Sequence, residues 1–262
     1  MALLTTFRRP KALALALVLL VFTLSCSSGQ QDEHTNELTV AAAADLSNAF
    51  EEIGREFQSA TNIKVIFNFG SSGLLTKQVE NGAPIDLFAA ANVDYINQLE
   101  QKGLIIPDSK KLYARGRIIL WTSKNNQIRI EKLGDLTRPE IKRIAIANPE
   151  HAPYGLAARQ ALERTGLWET VKSKLVYGEN VRQTLQYAQT GNVEVAIVAL
   201  SLSGQGDGNW ILVPEELHNP LDQGLGIIKG TKNEAGARAF ADFILGERGQ
   251  SIMKRYGFTK PN

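Results

Sequence analysis

Two short segments combine small residues with hydrogen-bond donors where a strand pattern gives way to a helix pattern. The first is residues 42–47, Ala-Ala-Ala-Asp-Leu-Ser, and the second is residues 69–73, Phe-Gly-Ser-Ser-Gly. The first turn of a helix offers free backbone N–H groups and a positive dipole end, and small residues let a ligand approach them. Two such ends can hold an oxyanion without lysine or arginine. A single segment of this kind is most often only a helix cap, and the pair weakens that alternative without removing it.

The remaining motifs do not predict catalysis. The sequence has no Ser-His-Asp order or G-x-S-x-G nucleophile turn of a convincing kind. Residues 201–208 are glycine-rich but lack the lysine of a phosphate loop, so they predict a surface loop. His151 has no nearby histidine or cysteine partner, and we interpret it as structural, in a loop between Pro149 and Pro153. We therefore expect no enzyme activity, no cofactor and no residues that ligate a metal cation.

Composition and charge limit the classes of protein that remain. The chain has 262 residues, of which 44% are hydrophobic and 21% charged, as in globular proteins. Its one cysteine excludes a disulfide scaffold. The formal net charge is +2, but Arg8, Arg9 and Lys11 are the only charges in residues 1–25, so the rest of the chain carries −1. A nucleic-acid-binding protein would normally be basic, and we expect no nucleic-acid partner.

The N-terminal segment is typical of a secretion signal. A basic start is followed by an uncharged apolar run at residues 12–25, which is too short to span a membrane comfortably. Cys26 follows Ser25, and the stretch from Phe22 to Cys26 resembles a bacterial lipoprotein box. We expect a lipoprotein signal peptide at 1–25, lipidation of Cys26 and a flexible tether at 26–37. The alternative is a plain secretory signal with an incidental cysteine.

From residue 38 onward, strand and helix patterns alternate. Short apolar or β-branched runs predict strands, and apolar residues spaced three and four apart predict helices. The strands are predicted at 38–42, 63–67, 85–91, 118–121, 144–147, 175–177 and 193–198. The helices are predicted at 46–59, 74–81, 95–104 with its exit, 156–165, 181–189 and 234–256, the last interrupted near 246–249. This βαβα order favours an α/β fold with parallel sheets covered by helices.

Several motifs in this order and spacing resemble the ModA-like family, the molybdate-binding proteins of bacterial ABC transporters. They are Leu38–Asp45, Gly70–Gly73, Gly82–Ala91, Ala147–Gly155, Gly178–Arg182 and Lys254–Phe258. The resemblance implies a two-lobed type II periplasmic-binding-protein fold with the ligand in the inter-lobe cleft. It places the chain crossings near Gly116 and Gln223, which gives lobe 1 at 38–116 plus 224–262 and lobe 2 at 117–223.

The resemblance also implies a function and a set of contacts. The protein would be a monomer, held outside the cell membrane by its lipid and facing the periplasm or the cell exterior. It would capture molybdate, and with it tungstate, through neutral donors and deliver the anion to a permease powered by an ATPase. The contacts carried over are Ala44, Asp45, Ser72, Tyr154 and Val181. A tyrosine that some members use near residue 199 is Ala199 here. A binding protein for phosphate, phosphonate or sulfate, or a sensor on the same fold, stays open.

Asp45 departs from the family pattern, because a hydroxyl or amide is expected there. A carboxylate repels a doubly charged anion, so one interpretation is that Asp45 turns away and caps the helix at 46–59. The other is that Asp45 accepts a hydrogen bond from a protonated anion such as hydrogen phosphate or a phosphonate. Under the first interpretation Asp45→Asn leaves molybdate affinity intact or improved, and under the second it causes a large loss.

Overall fold

The computed structural model describes residues 1–3, 36–204, 206 and 208–261. The predictions for residues 4–25 of the signal peptide, for Cys26 and for the tether up to residue 35 lie outside these residues. Thr35–Asn262 forms one compact unit. Within the described ranges, no helix is long and apolar enough to cross a membrane.

The described residues of this unit form ten strands and eight α-helices, with short 3₁₀ turns between some of them. The strands are β1 Glu37–Ala43, β2 Lys64–Gly70, β3 Leu87–Ala90, β4 Lys111–Gly116, β5 Ile118–Ser123, β6 Ile144–Ala147, β7 Leu175–Gly178, β8 Val195–Ala199, β9 Gly208–Leu212 and β10 Leu221–Ile227. The helices are α1 Ser47–Thr61, α2 Ser72–Glu80, α3 Val93–Gln101, α4 Pro153–Arg164, α5 Trp168–Val171, α6 Val181–Gln189, α7 Glu234–Leu245 and α8 Glu247–Arg255. The 3₁₀ turns are Ala44–Leu46, Leu133–Thr137, Lys172–Lys174, Leu200–Leu202 and Glu215–Leu217.

The strands form two five-stranded sheets. The first has the order β2-β1-β3-β10-β4 and the second the order β7-β6-β8-β5-β9. The chain passes from the first sheet to the second between β4 and β5, and returns between β9 and β10. β10 pairs with β4 from Leu221 onward, and the lobe boundaries given above stay a prediction.

The α/β fold class is confirmed, but the expectation of parallel sheets is wrong in part. β1 pairs in parallel with β2 and β3, and β6 pairs in parallel with β7 and β8. In contrast, β10 runs antiparallel to β3 and β4, and β5 runs antiparallel to β8 and β9. Both sheets are mixed because the chain crosses between them instead of completing every βαβ unit in one sheet.

The central strands β1 and β6 are buried on both faces, and the loops that carry the site follow the ends of such strands. Leu38, Val40, Ala41 and Ala42 of β1 have no exposed surface, and β6 is equally buried. Phe50, Ile53 and Phe57 are buried on the inner face of α1, and Asn62, directly after the helix, ends it with a left-handed backbone at a φ of 61°. Because parallel strands end at one edge of their sheet, the loops after β1, β2 and β3 lie side by side, as do those after β6 and β7.

Candidate functional site

The loops that follow the parallel strands of the two sheets meet at one narrow pocket. Its open core has a volume of about 10 Å³, roughly the room of one water molecule. Twelve described residues line it: Ala43, Ala44, Asp45, Gly70, Ser71, Ser72, Ala91, Ala152, Pro153, Tyr154, Asn180 and Val181. All five residues expected from the sequence to contact the anion are among them. The pocket wall contains neither lysine nor arginine, and Asp45 is its one acidic residue.

Ser72 opens helix α2 at the second predicted junction and is fully buried. Its Oγ accepts a hydrogen bond from the backbone N–H of Ala91 at 3.0 Å, so its hydroxyl proton is left for another acceptor. The next N–H, of Gly73, donates to the carbonyl oxygen of His151 at 2.9 Å. The backbone N–H of Ser72 lies in the first turn of α2, where a helix provides no acceptor.

Val181 opens helix α6 on the opposite side of the pocket. The side chain of Asn180 caps this helix by accepting from the N–H groups of Arg182 and Gln183, both at 3.0 Å. The cap leaves the N–H of Val181 as the first-turn donor with no acceptor in the described part of the chain. The N-terminus of α2 at Ser72, after β2 of the first sheet, and that of α6 at Val181, after β7 of the second sheet, therefore both lie at the pocket.

Tyr154 and Asp45 are joined by a hydrogen bond across the pocket. Tyr154 lies in the first turn of α4, and its hydroxyl donates to Oδ2 of Asp45 at 3.0 Å. Gln223 of β10 donates to the same oxygen through Nε2 at 2.6 Å. Burial, followed by the nearby charge of Asp45, raises the pKa of Tyr154 well above its usual value. The phenol is therefore a neutral donor at physiological pH.

The expectation that Asp45 turns away and caps a helix is wrong. Asp45 lies within the 3₁₀ turn Ala44–Leu46, and neither that turn nor α1 has a side-chain cap. The competing hydrogen bonds come from Tyr154 and Gln223, which are remote in sequence and outweigh the local capping preference. Asp45 is 1% exposed, and its Oδ1 has no hydrogen-bond partner among the described residues.

Burial sets the protonation of Asp45. Desolvation raises the pKa of this carboxyl from 3.8 to about 6, and the hydrogen bonds from Gln223 and Tyr154 oppose the rise only in part. A negative charge about 4 Å away repels an ionised carboxylate by about 4 kcal/mol at an effective dielectric constant of 20. A bound dianion therefore favours the neutral form of Asp45 still further.

Sequence reasoning missed three residues that support this arrangement. Gln223 is fully buried, and its Oε1 accepts from the hydroxyl of Tyr113 at 2.9 Å, which orients Nε2 toward Asp45. Ser201 donates to the backbone oxygen of Asp45 at 2.7 Å. The expectation of a surface loop is therefore wrong at Ser201, which is 5% exposed. Gln223 stands between Asp222 and Gly224, and this local sequence carries no signal of its role.

His151 joins the two sides of the pocket from outside its wall. Its backbone oxygen accepts from Gly73, and its Nδ1 lies 2.8 Å from Oγ of Ser71. The described residues contain no group of three or more His, Cys, Asp or Glu that could hold a metal ion. The described groups at the pocket can therefore donate neutral hydrogen bonds to an anion, and they include one buried carboxyl group, that of Asp45.

Comparison with known proteins identifies the family to which this chain is similar. A protein-family model described as bacterial extracellular solute-binding protein matches residues 38–259. The molybdate-binding protein ModA of Azotobacter vinelandii is 36% identical over 227 residues, covering 85% of this chain and 89% of ModA. YvgL of Bacillus subtilis, a candidate substrate-binding lipoprotein of an ABC transporter, is 32% identical over 260 residues, covering 97% of this chain and 99% of YvgL.

A solved structure gives the same result. The periplasmic molybdate-binding protein of Azotobacter vinelandii superposes with a TM-score of 0.80 at 28% identity, covering 86% of this chain and all of that one. The family resemblance drawn from the motifs and the two-lobed type II periplasmic-binding-protein fold are both confirmed.

Proposed function

The chain belongs to the bacterial extracellular solute-binding proteins, in their ModA-like branch, and on that premise we propose that it captures molybdate for an ABC transporter. The observation that carries the proposal is the pocket itself. The free donors Ser72 and Val181, one from each side, and the Tyr154 hydroxyl, which donates to Asp45, line one gap whose described wall has no basic residue. We propose that these three residues, with Ala44 and Asp45, contact the anion.

Neutral donors supply enough energy for such a site. A hydrogen bond to a charged acceptor contributes about 1.5–3 kcal/mol, so a few of them, formed together, outweigh the costs of desolvation and ordering. Tungstate has the same charge and shape as molybdate, and we propose that it binds too. Sulfate is smaller, so in a cage sized for molybdate it would leave some donors without a partner.

The contacts across the pocket indicate how binding and domain closure are coupled. Three hydrogen bonds join the side of the pocket built on the first sheet to the side built on the second. They are Gly73 N–H to the His151 oxygen, Ser71 Oγ with His151 Nδ1, and the Tyr154 hydroxyl to Asp45. An oxyanion is larger than the open core of the pocket, so the two sides must separate to admit it and then close on it. Closure favours the bound form only by as much as the closed form binds the anion better.

We further propose that the closed complex docks on a membrane permease driven by an ATPase, and that the protein itself performs no chemistry. Lipidation at Cys26 would hold it on the outer side of the cell membrane. The lipoprotein-like sequence around Cys26 and the similarity to YvgL support this anchor. In cell fractionation, wild-type protein should remain with membranes and Cys26→Ala should be released; equal release of both would contradict the anchor.

Asp45 favours one second candidate, an oxyanion that brings its own proton. Its unpartnered Oδ1 could accept that proton from hydrogen phosphate or a phosphonate. Loss of phosphate binding in Asp45→Asn, together with stronger binding of phosphate than of molybdate by the wild type, would support this candidate over molybdate.

The test is a thermal-shift experiment on a fragment of residues 27–262, which contains the whole compact unit, with molybdate, tungstate, sulfate and phosphate in parallel. A ligand at 100 times its dissociation constant stabilises a protein by about 2.7 kcal/mol. We expect that effect with molybdate and tungstate and a smaller one with sulfate. The absence of a shift with all four anions would contradict the proposal, and turnover of a phosphate ester by the purified fragment would contradict the non-catalytic assignment.

A further inference from the structure

The hydrogen bonds of Asp45 are distributed unevenly between its two oxygens. Oδ2 receives both donors, the hydroxyl of Tyr154 at 3.0 Å and Nε2 of Gln223 at 2.6 Å. Oδ1 is buried and receives none from the described residues. An ionised carboxylate shares its charge between two equivalent oxygens, and leaving one of them buried and unpaired is unfavourable.

The same pattern suits a protonated carboxyl group. Its carbonyl oxygen has two lone pairs, which matches the two donors on Oδ2, and its hydroxyl is a donor that needs an acceptor. Asp45 lines the pocket, so the acceptor available to a hydroxyl at Oδ1 is an oxygen of the bound anion. In this form Asp45 joins Ser72 and Val181 as a neutral donor, and the repulsion between two negative groups disappears.

We infer that Asp45 binds the dianion in its protonated form, so that each molybdate is taken up together with one proton from solution. This inference rests on the proposed function, because it assigns a role to Asp45 at the proposed anion site. Asp45 is then a residue that sets the affinity of the site according to pH. The affinity for the anion falls as the pH rises, because a smaller fraction of Asp45 is protonated.

The groups that face Asp45 do not provide another source of this pH dependence. They are Tyr154 of α4, Tyr113 of β4, Gln223 of β10 and Ser201 of the turn Leu200–Leu202. Burial raises the pKa of both tyrosines well above their usual value, so neither changes charge near neutral pH. Burial also raises the pKa of Asp45 to about 6 before any anion is present.

The His151 ring contacts the pocket wall through Ser71. It therefore needs its own variant in the experiment. His151→Asn replaces the ring by an amide that can still bond Ser71 and that does not titrate. If Asp45 is the proton acceptor, the proton uptake survives in His151→Asn and is lost in Asp45→Asn.

The measurement is isothermal titration calorimetry of the 27–262 fragment with micromolar molybdate, in two buffers of different ionisation enthalpy. We expect the wild type to take up about one proton per anion near pH 7.5, and its affinity to fall about tenfold per pH unit above about pH 6. Asp45→Asn carries an amide donor in place of the hydroxyl, so it should bind with little pH dependence and no proton uptake.

The outcomes separate the inference from the function on which it rests. Binding of molybdate by the wild type without proton uptake, or uptake that persists in Asp45→Asn and vanishes in His151→Asn, would overturn the inference and leave the proposed function standing. If the wild type binds none of the four anions molybdate, tungstate, sulfate and phosphate at any pH tested, the proposed function itself is refuted. Because the proton count is measured on the wild type, the test does not depend on a variant that folds.

Discussion

The buried carboxyl group of Asp45 predicts a specific dependence of folding stability on pH in the absence of ligand. Its pKa is about 6 in the folded protein, against an ordinary aspartate value of 3.8 that applies to the unfolded chain. The folded state therefore binds this proton more tightly than the unfolded chain does. The stability from Asp45 is fully present below about pH 3.8 and is lost as the pH rises to about 6. One pKa unit corresponds to about 1.4 kcal/mol, so the total loss is about 3 kcal/mol.

Asp45→Asn removes this titration and keeps an oxygen for Tyr154 and Gln223. We expect the free energy of unfolding of the variant minus that of the wild type to increase by about 2 kcal/mol between about pH 4 and pH 7, which is most of the total. Urea unfolding at a series of pH values measures this difference, in which the titrations common to both proteins cancel. Asp242→Asn, at an exposed position of α7, controls for the loss of one negative charge. A difference between Asp45→Asn and wild type that stays constant with pH would refute the reasoning.

Three further substitutions test the donors of the pocket by calorimetry with molybdate. Val181→Pro removes one N–H at a helix position that accepts proline, so the affinity for molybdate should fall about 10- to 150-fold. Val181→Ala keeps the N–H and should lose less affinity. Equal losses in the two variants would contradict the assignment of this N–H as a donor. Gly116→Ala places a Cβ 2.0 Å from the Tyr154 hydroxyl and should weaken binding at least tenfold, unlike Gly134→Ala, whose Cβ lies 3.9 Å from its nearest neighbour. Tyr154→Phe removes the hydroxyl bonded to Asp45 and should lower both affinity and the unfolding free energy, the latter by about 1–3 kcal/mol; unchanged values would show that this hydroxyl contributes nothing.

The elements that carry Ser72 and Val181 were predictable from local signals, whereas Val181 itself was named only through the family resemblance. Ser72 follows a glycine–serine junction at a helix start, and Val181 follows an asparagine that caps its helix. In both cases the donor depends on residues within a few positions. The type of element that surrounds each was therefore readable without knowledge of the tertiary structure.

The environment of Asp45 was not predictable in the same way. Aspartate is a good helix cap, so local propensity favours capping, but Tyr154 lies 109 positions away and Gln223 lies 178 positions away. The pairing of strands within the first sheet brings Gln223 of β10 to this carboxyl oxygen, and α4, which follows β6 of the second sheet, brings Tyr154. Long-range hydrogen bonds therefore determined the role of the one acidic residue in the pocket.

The missed strands have a related explanation. β4 and β9 lie at the edges of their sheets; in β4, Lys111 and Arg115 interrupt the apolar pattern, whereas β9 begins inside the glycine-rich stretch 201–208 that predicted a loop. β10 is an inner strand, but Gly224 and Gly226 interrupt its pattern. A Cβ at Gly224 would lie 2.9 Å from Val93, and one at Gly226 would lie 3.0 Å from Ile105. These glycines allow neighbouring segments to pack closely on the strand, and that requirement belongs to the tertiary fold.

The central claim is that neutral donors from both sheets hold a tetrahedral dianion in the pocket between them. A crystal structure of the 27–262 fragment grown with molybdate tests it most directly, because the anomalous scattering of molybdenum locates the anion independently of the protein. We predict one molybdenum peak with hydrogen bonds to Ser72, to the N–H of Val181 and to Oδ1 of Asp45. A molybdenum peak elsewhere on the protein, with this pocket unchanged, would contradict the account.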